Sequence, residues 1–365
     1  MSKDYLAARR KKLISLLKRR GAEAMLITCE TNVTYLTGFS GDSSYLLIGT
    51  GQTVLISDGR YTTQLEEECP DLDIHIRKAT ESMISAVEQV LKKSHLPKLG
   101  FESHIVTCEL LDAMSGITPA AQWIPIAGLV EEMRMIKDAS EIQEIREAIQ
   151  QAQRGFEVFR AMLTPEMSEL QGAHELEHAM RRFGARQAAF DPIVAVGERA
   201  ALPHAMPTEK LLADSPFLLV DWGAMTQKGY RSDLTRMIIH GRPPAKLEKV
   251  YQTVLKAQLA AIKAIRPGVL CQDVDRVARA VIEKAGFGKL FTHSLGHGIG
   301  LDIHEGPRLG GNVSTELKPG MIVTVEPGIY LPGWGGMRIE DDVLVTRNGH
   351  EVMTSVPKEY ESARL

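Results

Sequence analysis

Cysteine and long apolar runs are scarce in this chain of 365 residues. The four cysteines are Cys29, Cys69, Cys108 and Cys271, and no two of them form a CxxC pair. This scatter argues against a disulfide framework or a cysteine zinc site, and it predicts free thiols in a reducing cytoplasm. No apolar run approaches the roughly 20 residues that a membrane-spanning helix needs. We therefore expect a cytoplasmic protein without a membrane partner.

A large excess of charge of either sign is also missing. The formal net charge is −3, so the composition gives no indication of a nucleic-acid partner. Residues 1–20 lack the apolar core and the small-residue cleavage site of a secretory signal. Their leucines recur at helical spacing among lysines and arginines, which predicts a surface helix. Asp4 argues against the alternative, a mitochondrial presequence.

Two segments that combine apolar strands with turn residues carry pairs of acids. Residues 217–239 predict a β-hairpin with its turn at residues 226–229. Asp221 and Asp233 are equidistant from Gln227, so we expect them to be direct cross-strand neighbours with Cβ atoms roughly 4.5–5.5 Å apart. Carboxylates this close repel each other unless a cation lies between them or one is protonated. The alternative is a solvated hairpin whose acids point apart.

Residues 321–346 repeat the pattern, with a predicted strand at residues 322–325 and a glycine-rich turn. Glu326 and Glu340 are equidistant from Gly333 in that turn. Two divalent cations would neutralise two such acid pairs, and two-metal hydrolytic sites hold their ions roughly 3.5–4 Å apart. Opposed carboxylates can bridge that separation, so the two hairpins together favour a two-metal site.

Strand and helix signals alternate over residues 1–128, which predicts a separate α/β domain. We expect strands near residues 24–28, 44–48, 53–56 and 99–102, and helices near residues 62–68 and 81–93. This part holds no convincing cluster of ligands, so oligomer contacts or covering an active site are its expected roles. Residues 134–160 are highly charged with helical apolar spacing, which predicts a boundary near residues 126–135 and a second domain at residues 135–365.

Residues 174–178 match H-E-x-x-H, the zinc-protease helix motif. The apolar stripe of the same predicted helix comprises Leu170, Ala173, Leu176, Ala179, Met180 and Phe183. His174 and His178 lie off that stripe, so we expect both to face water. Glu177 places a charge where a buried zinc helix would carry an apolar residue. We therefore interpret the match as an ordinary surface helix.

Three other histidines, His293, His297 and His304, lie close together among glycines, which let the backbone approach without side-chain bulk. One of them could bind a metal, and the others could donate hydrogen bonds to a substrate or a developing oxyanion. His204 follows a predicted strand at residues 193–196 and precedes the first hairpin. It is either a surface residue of that loop or a further residue of the site.

These motifs together resemble those of a known family. The matching residues are Asp221, the segments GYRSDLTR at 229–236, HSLGHGIGLDIHE at 293–305, VEPG at 325–328 and RIED at 338–341. They resemble the motif series of the pita-bread metallopeptidases, within them the prolidase and aminopeptidase P branch. YLTGF at 35–39 and DGRY at 58–61 resemble the creatinase-type N-terminal domain of that branch. The spacing from Asp221 to Asp233 is one residue longer than usual there, so we expect a longer turn with intact ligands.

The resemblance covers nearly the whole chain and implies an α/β (α+β) fold of two domains. Residues 1–128 would form a small creatinase-like α/β domain, and residues 135–365 a pita-bread catalytic domain with a curved antiparallel sheet. The implied metal ligands are Asp221, Asp233, His297, Glu326 and Glu340. Asp233 and Glu340 would bridge two ions, whose shared water would be the nucleophile. Ligation rich in oxygen favours Mn²⁺, with Co²⁺ or Zn²⁺ as alternatives.

The resemblance also implies the remaining roles. The catalytic set would be His204, His293, His304, Glu326 and Arg338. Glu326 would act as general base, while His204 and His304 would handle the substrate carbonyl and proton transfer to the proline nitrogen. His293 and Arg338 would support the ligands or contact the substrate. Arg308 would clamp the free carboxylate of a dipeptide, because a guanidinium offers paired donors; the alternative is a surface arginine.

The implied activity is hydrolysis of Xaa-Pro bonds in proline-containing peptides by a homodimeric enzyme. An Xaa-Pro dipeptidase is favoured, and an aminopeptidase P acting on longer peptides is the alternative. A methionine aminopeptidase would leave residues 1–128 unexplained, and a creatinase-type amidinohydrolase lacks this set of acids. A non-catalytic binding module on the same fold is opposed by the intact ligands.

Overall fold

The computed structural model of the protein describes residues 3–94 and 96–365. The chain forms two compact units, Met1–Arg134 and Met135–Leu365. Within the described ranges, no helix combines the length and the apolar character needed to cross a membrane.

The N-terminal unit is built on one mixed sheet of six strands. The strands are β1 (Ala24–Ile27), β2 (Tyr45–Gly49), β3 (Gln52–Asp58), β4 (Asp73–Arg77), β5 (Lys98–Glu102) and β6 (Gln122–Ile126). The helices are α1 (Lys3–Arg19), α2 (Glu30–Thr37), α3 (Thr62–Glu68), α4 (Met83–Ser94), α5 (Cys108–Ile117) and α6 (Leu129–Arg134). The strand order is β4-β3-β2-β1-β5-β6, with parallel pairs at both ends and antiparallel pairs in the middle.

Every strand and helix predicted in this unit is present, and the α/β interpretation is confirmed. β4 and β6 are additional strands at the two edges of the sheet. β6 contains Pro125, which lacks an N–H and is tolerated at an edge, so its sequence carries a weak strand signal. In α1 the leucines predicted to form its apolar face are buried at Leu6, Leu13 and Leu17.

The C-terminal unit contains four long helices and twelve strands in the described residues. The helices are α7 (Ala139–Met162), α8 (Glu169–Arg182), α9 (Ala245–Ala264) and α10 (Cys271–Lys284). The first strands are β7 (Gln187–Ala188), β8 (Ile193–Val196), β9 (Phe217–Trp222), β10 (Ala224–Met225), β11 (Leu234–Ile239) and β12 (Gly296–Gly298). The others are β13 (Glu305–Leu309), β14 (Ile322–Val325), β15 (Gly328–Leu331), β16 (Gly335–Arg338), β17 (Asp341–Val345) and β18 (His350–Val352).

All strand pairs of this unit are antiparallel, as predicted. The larger sheets have the orders β11-β9-β8 and β13-β12-β14-β17-β18. An isolated bridge between Thr235 and Glu340 links the two sheets. Thr235 lies two residues after Asp233, and Glu340 is itself one of the predicted acids. The bridge therefore brings the two predicted acid hairpins together.

The sheet that begins with β8 and β9 lies between two apolar cores. Ile193, Ala195, Phe217 and Leu219 pack in one core with residues of α9 and α10. Val194, Val196, Leu218 and Val220 pack in the other with residues of α7 and α8. Successive strand residues point to opposite faces, so a strand covered on both faces needs an unbroken apolar run. The first polar residue of β9 is Asp221, which is therefore held at the end of a rigid strand.

Candidate metal centre

The structure corrects the register predicted for the first hairpin. Asp221 pairs with Thr235, so Asp221 and Asp233 are not direct neighbours. The turn was predicted at residues 226–229. It contains three residues, 227–229, because the Thr226 N–H donates to the Tyr230 carbonyl at 2.8 Å and Thr226 thus belongs to the paired strand. Three-residue hairpin loops need a left-handed residue at their end, and Gly229 has φ +86°. The centre of the hairpin thus moves by one residue, and each cross-strand partner moves by two.

The register of the second hairpin is confirmed. Val325 pairs with Asp341, and Gly328 pairs with Arg338, so both pairs are symmetric about Gly333. Glu326 directly follows β14 and Glu340 directly precedes β17 in this same register. Both carboxylates therefore leave the strands at the same level, as the sequence predicted.

All ten residues predicted for the site line one cavity of about 590 Å³. They are His204, Asp221, Asp233, His293, His297, His304, Arg308, Glu326, Arg338 and Glu340. Asp221 is the penultimate residue of β9, His297 lies on β12, and the other three acids flank strands. The rest of the wall includes the apolar side chains of Phe190, Ile193, Met206 and Ile303.

The deepest part of the cavity is a cluster of carboxylates around one imidazole. Asp233, His297 and Glu340 each present one ligand atom, and these atoms lie within 4.8 Å of one another. His297 Nε2 is 3.4 Å from Glu326 Oε1 and 3.6 Å from Asp233 Oδ2. Because His297 Nδ1 lies 3.1 Å from the Gly298 carbonyl, we assign the ring proton to Nδ1 and the lone pair to Nε2. A lone pair facing two carboxylates is the arrangement that a cation stabilises.

The ionisation of this cluster is strongly perturbed. Burial raises the pKa of Asp233 well above its usual range, and the charge of Glu340 adds to the effect. Burial, followed by the charge of Glu326, does the same to the pKa of Glu340. Burial and the charge of Asp221 raise the pKa of Glu326 to about 8, although Arg338 opposes them. Burial, with a smaller contribution from His304, lowers the pKa of His297 to about 4. The imidazole is thus neutral at pH 7 and able to bind a metal.

Two carboxylate oxygens of the cavity have no hydrogen-bond partner within the described part of the chain. Asp221 Oδ1 and Glu340 Oε1 are both buried and unpartnered. A buried oxygen of this kind costs free energy unless a donor or a cation satisfies it. Oxygens from carboxylates together with one neutral imidazole are the donors that divalent metals accept. The residues present therefore fit divalent cations.

One side of the cluster is held by a hydrogen-bonded chain that sequence reasoning missed in part. Arg338 Nη2 donates to Asp221 Oδ2, and its Nη1 donates to the Tyr330 hydroxyl at 2.8 Å. His293 Nδ1 lies 2.8 Å from the Ser294 carbonyl, so that nitrogen carries the proton, and Nε2 accepts from the Tyr330 hydroxyl at 2.9 Å. Burial, and then the charge of Arg338, lower the pKa of His293 to about 4. Both nitrogens of His293 are thus occupied: Nδ1 fixes the ring on the Ser294 carbonyl, and Nε2 orients the Tyr330 hydroxyl that accepts from Arg338.

Tyr330 was not predicted, although one signal for it exists. A Cβ on Gly328 would lie 2.4 Å from the Tyr330 hydroxyl, so the glycine leaves the space that this hydroxyl occupies. A glycine two residues before an aromatic residue, inside an otherwise apolar strand, indicates such a close approach.

The outer part of the cavity carries exposed polar groups. His204 and His304 are both exposed, and the His304 ring lies 4.4 Å from the His297 ring, centroid to centroid. Burial, followed by the charges of His204 and Arg308, lowers the pKa of His304. Arg308 is exposed on β13, and its Nε donates to Ser294 Oγ at 2.9 Å. These exposed groups are accessible to a molecule that enters the cavity.

The zinc-protease motif lies on α8, and its histidines are exposed, as predicted. Leu176, Ala179 and Met180 are buried, which confirms most of the apolar stripe. Leu170 is half-buried, and Phe183 is 36% exposed and lies under the Arg154 guanidinium at 5.5 Å. Within the described residues, one group of three or more metal-binding side chains is present, and it contains neither motif histidine.

The site combines a buried set of carboxylates with one neutral histidine, and its cavity carries polar groups at the rim. These features together define a metal-dependent hydrolase. The model of metallopeptidase family M24 matches residues 143–347, and that of the creatinase/prolidase N-terminal domain matches residues 9–136. The chain belongs to metallopeptidase family M24, which confirms the resemblance stated from its motifs.

Individual relatives match over nearly the whole chain. The uncharacterized peptidase YqhT of Bacillus subtilis is 38% identical, with 95% of this chain and 98% of that protein covered. The structure of an Xaa-Pro dipeptidase from Bacillus anthracis has a TM-score of 0.92 at 40% identity, covering 97% of this chain and 99% of that one. The structure of an X-Pro aminopeptidase from Thermotoga maritima has a TM-score of 0.88 at 35% identity, with coverage of 96% and 99%.

Proposed function

We propose that this protein is a dinuclear-metal-dependent exopeptidase that hydrolyses Xaa-Pro peptide bonds. The observation that carries the proposal is the buried cluster, in which unpartnered oxygens of Asp221 and Glu340 lie in one cavity with Asp233, His297 and Glu326. The names of the relatives from Bacillus anthracis and Thermotoga maritima support proline specificity. The enzyme class is metallopeptidase, from the family to which the chain belongs.

The five ligands divide into three roles. We assign Asp233 and Glu340 as ligands shared by two cations, Asp221 as a ligand of one, and His297 and Glu326 as ligands of the other. When bound, the cations would acidify water and polarise the scissile carbonyl. Oxygen-rich donors favour Mn²⁺, with Co²⁺ or Zn²⁺ as alternatives.

Proton transfer falls to the groups around the ligands. Glu326 is assigned as general base, because the family resemblance implies this role and its carboxylate lies 3.4 Å from His297 Nε2 in the proposed metal site. Cleavage of an Xaa-Pro bond must deliver a proton to the tertiary nitrogen of proline. His204 and His304, exposed at the rim, are assigned to the substrate carbonyl and to this proton. Arg338 keeps Asp221 oriented by a direct hydrogen bond, and His293 supports Arg338 through the Tyr330 hydroxyl.

The length of the substrate depends on Arg308. Its guanidinium lies in the cavity wall on the same strand that follows His304, and it is exposed. In this position it suits the carboxylate of a dipeptide, which favours an Xaa-Pro dipeptidase. The alternative is an aminopeptidase P, and the bond from Arg308 Nε to Ser294 Oγ favours it, because that donor is already occupied.

The discriminating experiment compares Ala-Pro, Ala-Pro-Ala and Ala-Ala as substrates of the metal-free protein before and after addition of Mn²⁺. We expect Mn²⁺-dependent cleavage of the proline peptides alone. We predict that Arg308→Ala lowers kcat/KM for Ala-Pro selectively, since a charge-assisted contact contributes about 1.5–3 kcal/mol, or roughly 10- to 150-fold. Equal losses on both proline peptides, or a wild-type preference for the tripeptide, would instead support the aminopeptidase.

Further assignments concern the location of the protein, its oligomeric state, its domains and its partners. Free thiols at Cys29, Cys69, Cys108 and Cys271 support a cytoplasmic location. Family resemblance supports a homodimer, and we keep residues 1–128 and 135–365 as the two domains. Proline-containing peptides are the proposed partners, without nucleic acid or membrane.

A further inference from the structure

The loop that carries His204 is held at its base by a carboxylate from another element. Glu169 is the first residue of α8, and its side chain is completely buried, with 0% exposed. It lies outside the set of described residues that line the metal cavity. A buried carboxylate next to the N-terminal end of a helix is favoured by the helix dipole.

Both ends of the His204 loop meet on this one carboxylate. At the entry, the Val196 N–H donates to Glu169 Oε1 at 2.7 Å, and Arg199 Nε lies 2.8 Å from Oε2. At the exit, the Thr208 N–H and hydroxyl donate to Oε2 at 2.9 and 2.7 Å. Residues 196–208 are thus closed into a ring of hydrogen bonds around Glu169.

Arg199 extends this closure across the loop. Its Nη2 donates to the carbonyl of Met206, two residues after His204. On the other side, Arg338 Nη1 lies 3.4 Å from the carbonyl of Pro203, the residue directly before His204. The backbone on both sides of His204 is therefore anchored, while the histidine itself is exposed toward the cavity.

We propose that Glu169 and Arg199 are positioning residues that set the reach of His204 into the site, an inference that rests on the proposed function. A loop without this ring would sample many conformations and lose the geometry needed for proton transfer. Misplacement by about 1 Å can cost roughly 10²-fold in rate. Neither residue is assigned to the metals, so the loss would fall on kcat and leave the metal content unchanged.

The principal variant is Arg199→Met, because Arg199 is 23% exposed and its removal leaves Glu169 with its bonds to Val196 and Thr208. Arg199→Lys is the conservative partner. Arg181→Met is the matched control, since Arg181 also pairs with a glutamate of α8, at 2.9 Å, but is 50% exposed at the surface. We expect faster hydrogen–deuterium exchange in residues 197–208 of Arg199→Met, partial recovery in Arg199→Lys, and no change in the control.

The kinetic arm is a double-mutant cycle with His204→Ala. We expect Arg199→Met to lower kcat by about 10²-fold at unchanged metal content, and Arg199→Lys to recover part of the loss. The double variant should be no slower than His204→Ala alone, because a residue that acts through His204 loses its effect without it. The proposal would be overturned if the kcat losses of Arg199→Met and His204→Ala multiply in the double variant. It would also be overturned if hydrogen–deuterium exchange in residues 197–208 is unchanged in Arg199→Met. If the wild type cleaves no Xaa-Pro peptide, the proposed function is refuted. The hydrogen–deuterium exchange measurement still tests whether Glu169 and Arg199 hold the His204 loop.

Discussion

At the scale of single residues, Asp233 shows what a bound cation would contribute to the site. Its carboxylate is buried beside Glu340, and both have pKa values raised well above their usual range by burial and then by neighbouring charge. Keeping two such groups ionised without a cation is costly, whereas ionised groups bound to cations are stable. The same residues that destabilise the metal-free protein would thus provide its affinity for metal.

We predict that Asp233→Asn abolishes peptidase activity and lowers the metal content, while the metal-free variant melts no lower than the metal-free wild type. The amide keeps the shape of the side chain and does not ionise, so the variant avoids the cost of holding this buried carboxyl either charged beside Glu340 or protonated far above its usual pKa. Metal analysis and thermal unfolding of the stripped protein measure both effects. Asp273→Asn is the control, because Asp273 is 42% exposed and pairs with Arg276 at the surface. Wild-type metal content and activity in Asp233→Asn would eliminate the two-metal site.

Tyr330 provides the second test at this scale. Its hydroxyl accepts from Arg338 and donates to His293, so Tyr330→Phe leaves a buried donor and a buried acceptor unpaired. We predict a loss of about 1–3 kcal/mol in the free energy of unfolding, with metal ligands intact and metal content retained. Denaturant titration with metal analysis checks this, and Tyr5→Phe, at a tyrosine that is 37% exposed, is the control. An unchanged stability would mean that water replaces the hydroxyl.

At the scale of elements, the two hairpins show how far sequence patterns reach. Both were located from apolar runs and turn residues, and both are present. Only the second register was predicted correctly: Glu326 and Glu340 are symmetric about the true centre of their hairpin, Gly333, whereas Asp221 and Asp233 are not symmetric about the centre of theirs. The first failed by one residue in the turn, where Gly229 takes a left-handed conformation that closes a three-residue loop. Loop length depends on backbone conformation, and neither the acids nor the apolar run encodes it.

The glycine-rich segment around His297 is a second case. Its glycines predict close backbone approach without indicating a secondary structure, and residues 296–298 form the strand β12. The stated reason is confirmed: a Cβ on Gly296 would lie 2.1 Å from the Thr324 carbonyl, and one on Gly298 would lie 2.1 Å from the Gly306 carbonyl. Glycine usually weakens a strand signal. The sequence therefore predicted the close backbone approach but did not predict the strand β12.

Helix α8 carries a prediction about the H-E-x-x-H motif. We predict that His174→Ala and His178→Ala leave activity and metal content near wild type, because both histidines are exposed and outside the ligand cluster. Peptidase assays and metal analysis of the two variants provide the check. His297→Ala is the positive control and should lose metal. A clear loss of zinc from either α8 variant would show that the motif binds metal after all.

At the scale of the whole molecule, what the sequence could not provide is contact between distant segments. Motif resemblance implied five candidate metal ligands, and all of them line one cavity. The chain of hydrogen bonds from Asp221 through Arg338 to Tyr330, and the closure of the His204 loop on Glu169, join residues that no periodicity relates. Such contacts depend on how sheets and helices pack, so they become visible only in three dimensions.

The stability of the whole metal-free protein should fall as pH rises from about 6.5 to 8. Burial raises the pKa of Glu326 from 4.5 to about 8, and burial shifts those of Asp233 and Glu340 in the same direction. Between these values the folded state binds more protons than the unfolded state, so stability decreases with pH. Burial lowers the pKa of His293 and His297 from 6.5 to about 4, which opposes the trend only below pH 6.5. Above pH 6.5 the dependence of stability on pH therefore reports the titration of the three acids without a contribution from the two histidines.

We predict that the midpoint of thermal unfolding of the stripped protein decreases across this window, and that the increase on adding Mn²⁺ grows over the same range. Metal binding requires deprotonated carboxylates, so protons and cations compete for the same oxygens. Scanning calorimetry at several pH values, with and without Mn²⁺, measures both trends. Glu326→Gln should flatten the profile of the stripped protein, since its amide does not titrate. A midpoint that rises from pH 6.5 to 8 without metal would show that these acids are not held together in the folded protein.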